Sequence, residues 1–138
     1  MVQKDELFFK KSAEYGRLDV VNDQFGSPTY ARDLAGIILQ ILPMVMTSNQ
    51  FELFHYANEG SCSWYEFAKE IIAQAAIDCQ VNPVKTGHYP AKAKRPAYSV
   101  LDSSAIKERF GLTIPQWQQS LKACLNMINE VPSGTTVW

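Results

Sequence analysis

Residues 17–42 read RLDVVNDQFGSPTYARDLAGIILQIL. Arg17 to Asn22 is rich in β-formers, DQFGSP has loop chemistry, and a helix is expected from about Thr29 to Leu42. In that helix Leu34, Ile37, Ile38, Ile41 and Leu42 recur at the i, i+3, i+4, i+7 spacing of one buried face, and Pro43 is expected to stop it. A strand that passes through a polar loop into an amphipathic helix sets the class as α/β.

Working outward, a short helix is expected from Asp5 to about Tyr15, ending at Gly16. On the other side, Phe51 to Ala57 (FELFHYA) reads as a strand closed by the turn Asn58-Glu59-Gly60. Ser63 and Glu66 have the spacing of a capping box, so a helix should open there and run to about Ile77, with Trp64, Phe67, Ala68, Ile71 and Ala75 facing the core. A short strand over Gln80 to Lys85 leads into a basic, proline-bounded loop from His88 to Pro96. Asp102 or Ser103 can cap a further helix that ends at Gly111. Pro115 opens the last helix, whose expected buried face is Trp117, Leu121, Cys124 and Ile128. The tail 131–138 is expected to fray.

The chain has 138 residues, of which 46% are hydrophobic and 20% charged, with a formal net charge of −1. That length suits a single domain over residues 1–138, large enough to bury a core without staples. The charge balance argues against a nucleic-acid surface, and no apolar run approaches the roughly 18 residues of a membrane span. With no secretory signal at the start, a cytoplasmic protein is the expectation. Cys62, Cys79 and Cys124 are odd in number and widely spaced, and read as reduced thiols rather than as metal ligands.

Three features could carry chemistry. Tyr65 and Lys69 lie four apart on one helical face, the spacing by which a lysine lowers a tyrosine pKa in carbonyl reduction. That chemistry needs a nicotinamide beside the tyrosine, yet no two glycines of this chain are closer than ten positions, so no Gly-rich dinucleotide turn is available. The pair is read as part of an amphipathic helix. The loop Asp23 to Asp33 crowds Gln24, Ser27, Thr29, Tyr30 and Arg32 at a strand-to-helix junction, either to meet a ligand or simply to cap the helix. Finally, Lys92, Lys94 and Arg95 lie between Tyr89 and Tyr98, a composition that suits a nucleotide diphosphate, a small RNA-binding loop or an ordinary solvated segment.

Four ordered motifs, VVNDQFGSPTYARDLA, FHYANEGSCSWYEFAKEI, KRPAYSVLDSSAIKERFGL and IPQWQQSLK, together resemble the C-terminal part of the dTDP-4-dehydrorhamnose reductase family, which are extended short-chain dehydrogenases. The resemblance runs from about Arg17 to Ile128. It implies helices with a few short strands from the substrate-binding part of an NAD(P)-binding Rossmann-type enzyme. The Rossmann half, with the family's catalytic Tyr-x-x-x-Lys, is not among the matched residues. It also implies NADPH or NADH, and in some members Mg2+, as cofactors of the full-length family, none of them expected to bind this chain.

The implied ligand is a dTDP-sugar nucleotide, with Arg95 on the diphosphate. Gln24, Ser27, Thr29 and Tyr30 are implied as cleft contacts, and Lys94 and Tyr98 as weaker ones. The expectation is that this chain alone is not catalytic. A sugar-nucleotide-binding or protein-interaction module is the alternative, and a small independent enzyme using Tyr65 is a third reading. Unpaired strands at 17–22 and 51–57 would make self-association plausible.

Overall fold

The computed structural model describes residues 16–46, 50–88 and 93–130. The helix expected over 5–15 and the tail 131–138 lie outside them. The chain divides into two compact units, one from Met1–Gly26 and Cys62–Ser99, the other from Ser27–Ser61 and Val100–Trp138.

The first unit contains strands β1 (Arg17–Val21), β2 (Phe25–Gly26), β3 (Cys62–Ser63) and β4 (Gln80–Val84) with helix α2 (Trp64–Gln74). Strands β1 and β4 pair in parallel, with Leu18 opposite Val81 and Val20 opposite Pro83. A lone pair of strands is marginal in water; here α2 packs on both. Pro83 is exposed and lacks an N–H, which suits an outer strand. β2 and β3 form a short antiparallel pair that the sequence reading did not anticipate.

The capping box forms as expected. The Glu66 N–H donates to Ser63 Oγ at 3.1 Å and the Ser63 N–H donates to Glu66 Oε2 at 2.7 Å. The helix stops at Gln74 rather than near Ile77, since Ala76 takes a positive φ of 53° and the Ile77 N–H reaches back to the Ile72 carbonyl at 3.1 Å. Trp64, expected in the core, is exposed because it is the first residue of the helix, while Ala68 and Ile72 are buried.

The second unit is built from helices α1 (Ala31–Val45), α3 (Ser104–Phe110) and α4 (Trp117–Glu130) with the irregular segment 51–58. Ile106, Leu112 and Ile114 are its buried centre, with Ile37, Ile41, Phe54, Tyr56 and Phe110 packed against them. Pro43 lies inside α1 instead of ending it. It forfeits one main-chain donor close to the end, and the Met46 N–H still bonds the Leu42 carbonyl at 3.1 Å, so the helix continues for two residues more. Only part of the expected α1 face is turned inward: Ile37 and Ile41 pack on the core, whereas Ile38 and Leu42 are exposed.

Residues 51–57 alternate between exposed and more buried positions but form no ladder with any described residue, so the expected strand is absent as such. In α3 the cap is Ser103 by position, but its hydroxyl is engaged by the Ala57 N–H at 3.1 Å. Asp102 instead accepts the Ser104 N–H at 2.9 Å. Gly111 takes the left-handed φ of 63° expected of it. Pro115 precedes α4 rather than lying in its first turn. The buried stripe of α4 is Trp117, Leu121 and Leu125, while Ile128 is exposed; a four-residue step from Leu121 reaches Leu125.

Candidate functional site

The turn after β1 holds both ends of the basic segment. The Thr86 hydroxyl donates to Asp23 Oδ1 at 2.6 Å, and the Thr86 N–H donates to the two Asp23 oxygens at 3.0 and 3.2 Å. These bonds, led by the hydroxyl, hold the Asp23 carboxyl below its ordinary range. Gln24, only 8% exposed, donates its amide to Thr86 Oγ1 at 3.0 Å. At the other end the Phe25 N–H donates to the Ala97 carbonyl at 2.8 Å, and the Ser99 N–H returns to the Phe25 carbonyl at 2.9 Å. The Ser99 hydroxyl donates a second bond to that carbonyl at 3.1 Å. A Cβ on Gly26 would stand 3.2 Å from Ser99 Oγ, which favours a residue without a side chain there.

Lys94, Arg95 and Tyr98 are therefore brought to the same unit as Gln24, all three exposed on a segment whose ends are fixed. Gln24 supports this segment from beneath, its amide already committed. Lys92 and Tyr89 lie outside the described residues.

Ser27, Thr29 and Tyr30 belong to the second unit. Neither Ser27 nor Thr29 caps α1: Thr29 Oγ1 donates to the Ser27 carbonyl at 3.3 Å, and the helix begins after Tyr30. The donor at this end is instead taken up by Asn58, whose Oδ1 accepts the Tyr30 N–H at 2.8 Å. The Tyr30 hydroxyl donates to Met127 Sδ at 3.1 Å.

Asn58 is the hub of a network that carries no sequence motif. Its amide donates to Asp33 Oδ2 at 2.8 Å, to Ser120 Oγ at 2.9 Å and to the Pro115 carbonyl at 3.3 Å. The Ser120 hydroxyl closes the ring on Asp33 at 2.5 Å. Burial, followed by the Asp33 charge, raises the Tyr56 pKa. Asn58 was visible in the sequence only as a turn residue.

Tyr65 and Lys69 do lie on one face, with Lys69 Nζ 5.7 Å from the centre of the Tyr65 ring. They border an open depression of about 510 Å³ lined also by Ile72, Cys79 and Val81. That surface does not fit a dinucleotide. No glycine lies along it, and the N-terminus of α2, where a pyrophosphate would be seated, is occupied by the Glu66 carboxylate. α1 likewise carries Asp33 in its first turn. Among the described residues, no group of three or more His, Cys, Asp or Glu is placed to hold a metal ion, and no helix is long and apolar enough to cross a membrane.

Cys62 is buried beside Glu66, and burial with that charge pushes its thiol up to about 12. A free thiol ionises near 9.0. The neutral Cys62 therefore contributes its full share of stability below pH 9, and that share is lost as the pH climbs toward 12. At pH 8 iodoacetamide should label Cys79 and Cys124 well before Cys62, as read by peptide mass. Equal labelling of all three in the folded protein would contradict the burial of Cys62.

With this geometry in view, comparison with known proteins shows an α/β portion of the extended short-chain dehydrogenase class. A structure of a dTDP-4-dehydrorhamnose reductase from Clostridium acetobutylicum matches with a TM-score of 0.82 at 34% identity, over 90% of this chain and 43% of that one. The sequence profile of the RmlD substrate binding domain matches residues 5–130, and the chain belongs to that family. A dTDP-4-dehydrorhamnose reductase from Bacillus anthracis, solved in complex with NADP, matches with a TM-score of 0.75 at 36% identity, over 86% of this chain and 41% of that one. The spore coat polysaccharide biosynthesis protein SpsK of Bacillus subtilis is 38% identical over 120 residues, covering 87% of this chain and 40% of the relative. The chain thus spans less than half the length of the relatives it matches.

Proposed function

We propose that this chain is the dTDP-sugar-binding portion of a dTDP-4-dehydrorhamnose reductase acting in the cytoplasm, and that it binds the sugar nucleotide without reducing it. The observation that carries the reading is the basic segment tied to residues 23–26 at Thr86 and at Ala97, with Lys94 and Arg95 exposed to solvent. Arg95 takes the diphosphate through paired N–H donors, Lys94 adds charge, and Tyr98 offers a ring face to base or sugar. Gln24 acts through Thr86 as a positioning residue. Ser27, Thr29 and Tyr30 are proposed as contacts on the strength of the family resemblance.

Reduction in this family draws on NADPH or NADH. In this reading the chain supplies binding and orientation only, a view supported by the Tyr65–Lys69 surface, which lacks a glycine turn and has the Glu66 carboxylate at the α2 N-terminus. Calorimetric titration with dTDP tests the reading. Binding should be weakened about tenfold or more by Arg95→Ala, the loss of roughly 1.5–3 kcal/mol expected for hydrogen bonds to a charged group. Unchanged affinity in that variant, or turnover of the 4-keto sugar by the chain alone, would overturn it.

A further inference from the structure

Met127 lies near the end of α4 and is 41% exposed. Two donors from the start of α1 converge on its sulfur, the Tyr30 hydroxyl at 3.1 Å and an Arg32 guanidinium N–H at 2.8 Å. All three residues belong to the second unit. A thioether is a weak acceptor, so the pairing is a poor one for two such donors.

The helix itself does not explain the arginine. A cation in the first turn opposes the helix dipole, and no ion pair joins Arg32 to a carboxylate among the described side chains. The groove beside it, about 480 Å³ in volume and lined also by Tyr30, Gly36 and Ala123, gives the guanidinium room to shift. A stronger acceptor on the sulfur would use both donors in full.

We propose that Met127 is an oxidation site, with hydrogen peroxide as the oxidant, and that its sulfoxide oxygen is held by Arg32 and Tyr30 so that oxidation ties α1 to α4. In the step a sulfur lone pair attacks one peroxide oxygen, the S–O bond forms and the O–O bond breaks. The departing hydroxide takes the proton of the transferred hydroxyl and leaves as water, so the sulfur is oxidised by two electrons and the peroxide is reduced by two. Methionine oxidation ordinarily loosens a fold by placing a polar oxygen among apolar neighbours. Here the oxygen enters beside two donors, one of them charged, and charge-assisted hydrogen bonds are the stronger kind.

Peroxide treatment of the 138-residue chain at about pH 5 tests this, since thiols are then protonated and unreactive while a thioether has no proton to lose. Peptide mass should find sulfoxide at Met127 as well as at Met46, which is 76% exposed. The oxidised chain should melt about 3 °C or more above the reduced one, and methionine sulfoxide reductase should restore the original midpoint. Met127→Leu, treated alike, reports the effect of oxidation elsewhere and should show no rise. Arg32→Ala, which can still form the sulfoxide, should melt no higher after oxidation than before. Tyr30 is kept in every variant, and dTDP binding has no part in the readout. The proposal is overturned if Met127 stays unmodified while Met46 is fully oxidised, or if the oxidised chain melts at or below the reduced one. A rise that persists in Met127→Leu or in Arg32→Ala also overturns it.

Discussion

Asn58→Leu should destabilise the protein by about 3–4 kcal/mol, lowering the thermal midpoint by about 10 °C or more. Asn58 is 2% exposed, and leucine, which keeps the branched outline but is bulkier, makes none of its four hydrogen bonds. The Tyr30 N–H at the start of α1 is left without an acceptor, and Asp33 keeps only the Ser120 hydroxyl. Partly buried, the Asp33 carboxyl then loses its amide donor as well. Ser120→Ala, which removes one member and leaves Asn58 on Asp33, should cost only about 1–2 kcal/mol. Urea unfolding followed by circular dichroism separates the two. A loss below about 1 kcal/mol in Asn58→Leu would mean that water replaces the network.

The second large effect is expected at Trp117, which is 6% exposed. The indole lies against Gly60, where an added Cβ would come within 3.1 Å of Trp117 Cδ1 and 3.0 Å of Gln116 Oε1. Gly60 has a φ of 87°, so glycine is required there by conformation as well as by space. The backbone beside it is bracketed, with the Glu59 N–H donating to the Pro115 carbonyl at 2.9 Å and the Trp117 N–H donating to the Glu59 carbonyl at 3.0 Å. Because both partners of the ring are fixed, Trp117→Ala leaves a cavity that cannot collapse and should cost about 3–5 kcal/mol. Trp117→Phe should recover more than half of that. Equal losses in the two variants, measured by chemical denaturation, would show that the ring's size is not what matters.

The parts legible in the sequence were those governed by near neighbours. Ser63 and Glu66 announce their helix because both halves of the capping box lie within four residues, and Gly111 marks an ending for the same reason. The family was legible from ordered motifs rather than from any one residue, and its model covers residues 5–130. What could not be read depends on distant partners. The Asn58 network joins positions 25 to 87 residues apart, and Thr86 meets Asp23 across 63. Neither threonine nor asparagine carries a local signal for such a role. Phe51 to Ala57 shows a different failure: its alternation was read correctly as a strand's, but a strand also needs a neighbour, which no pattern within the segment supplies.

The tie between residues 23–26 and the two ends of the basic segment makes that segment a cassette. Once Thr86 and Ala97 are fixed, what lies between them can change in length at low entropic cost, on the order of 0.6 kcal/mol for each doubling of a flexible loop. The fold beneath need not respond. On the proposed reading, exchange of the sequence between these two anchors is the economical route to a change of ligand, since Thr86 and Ala97 stay tied to residues 23–26 whatever side chains lie between them.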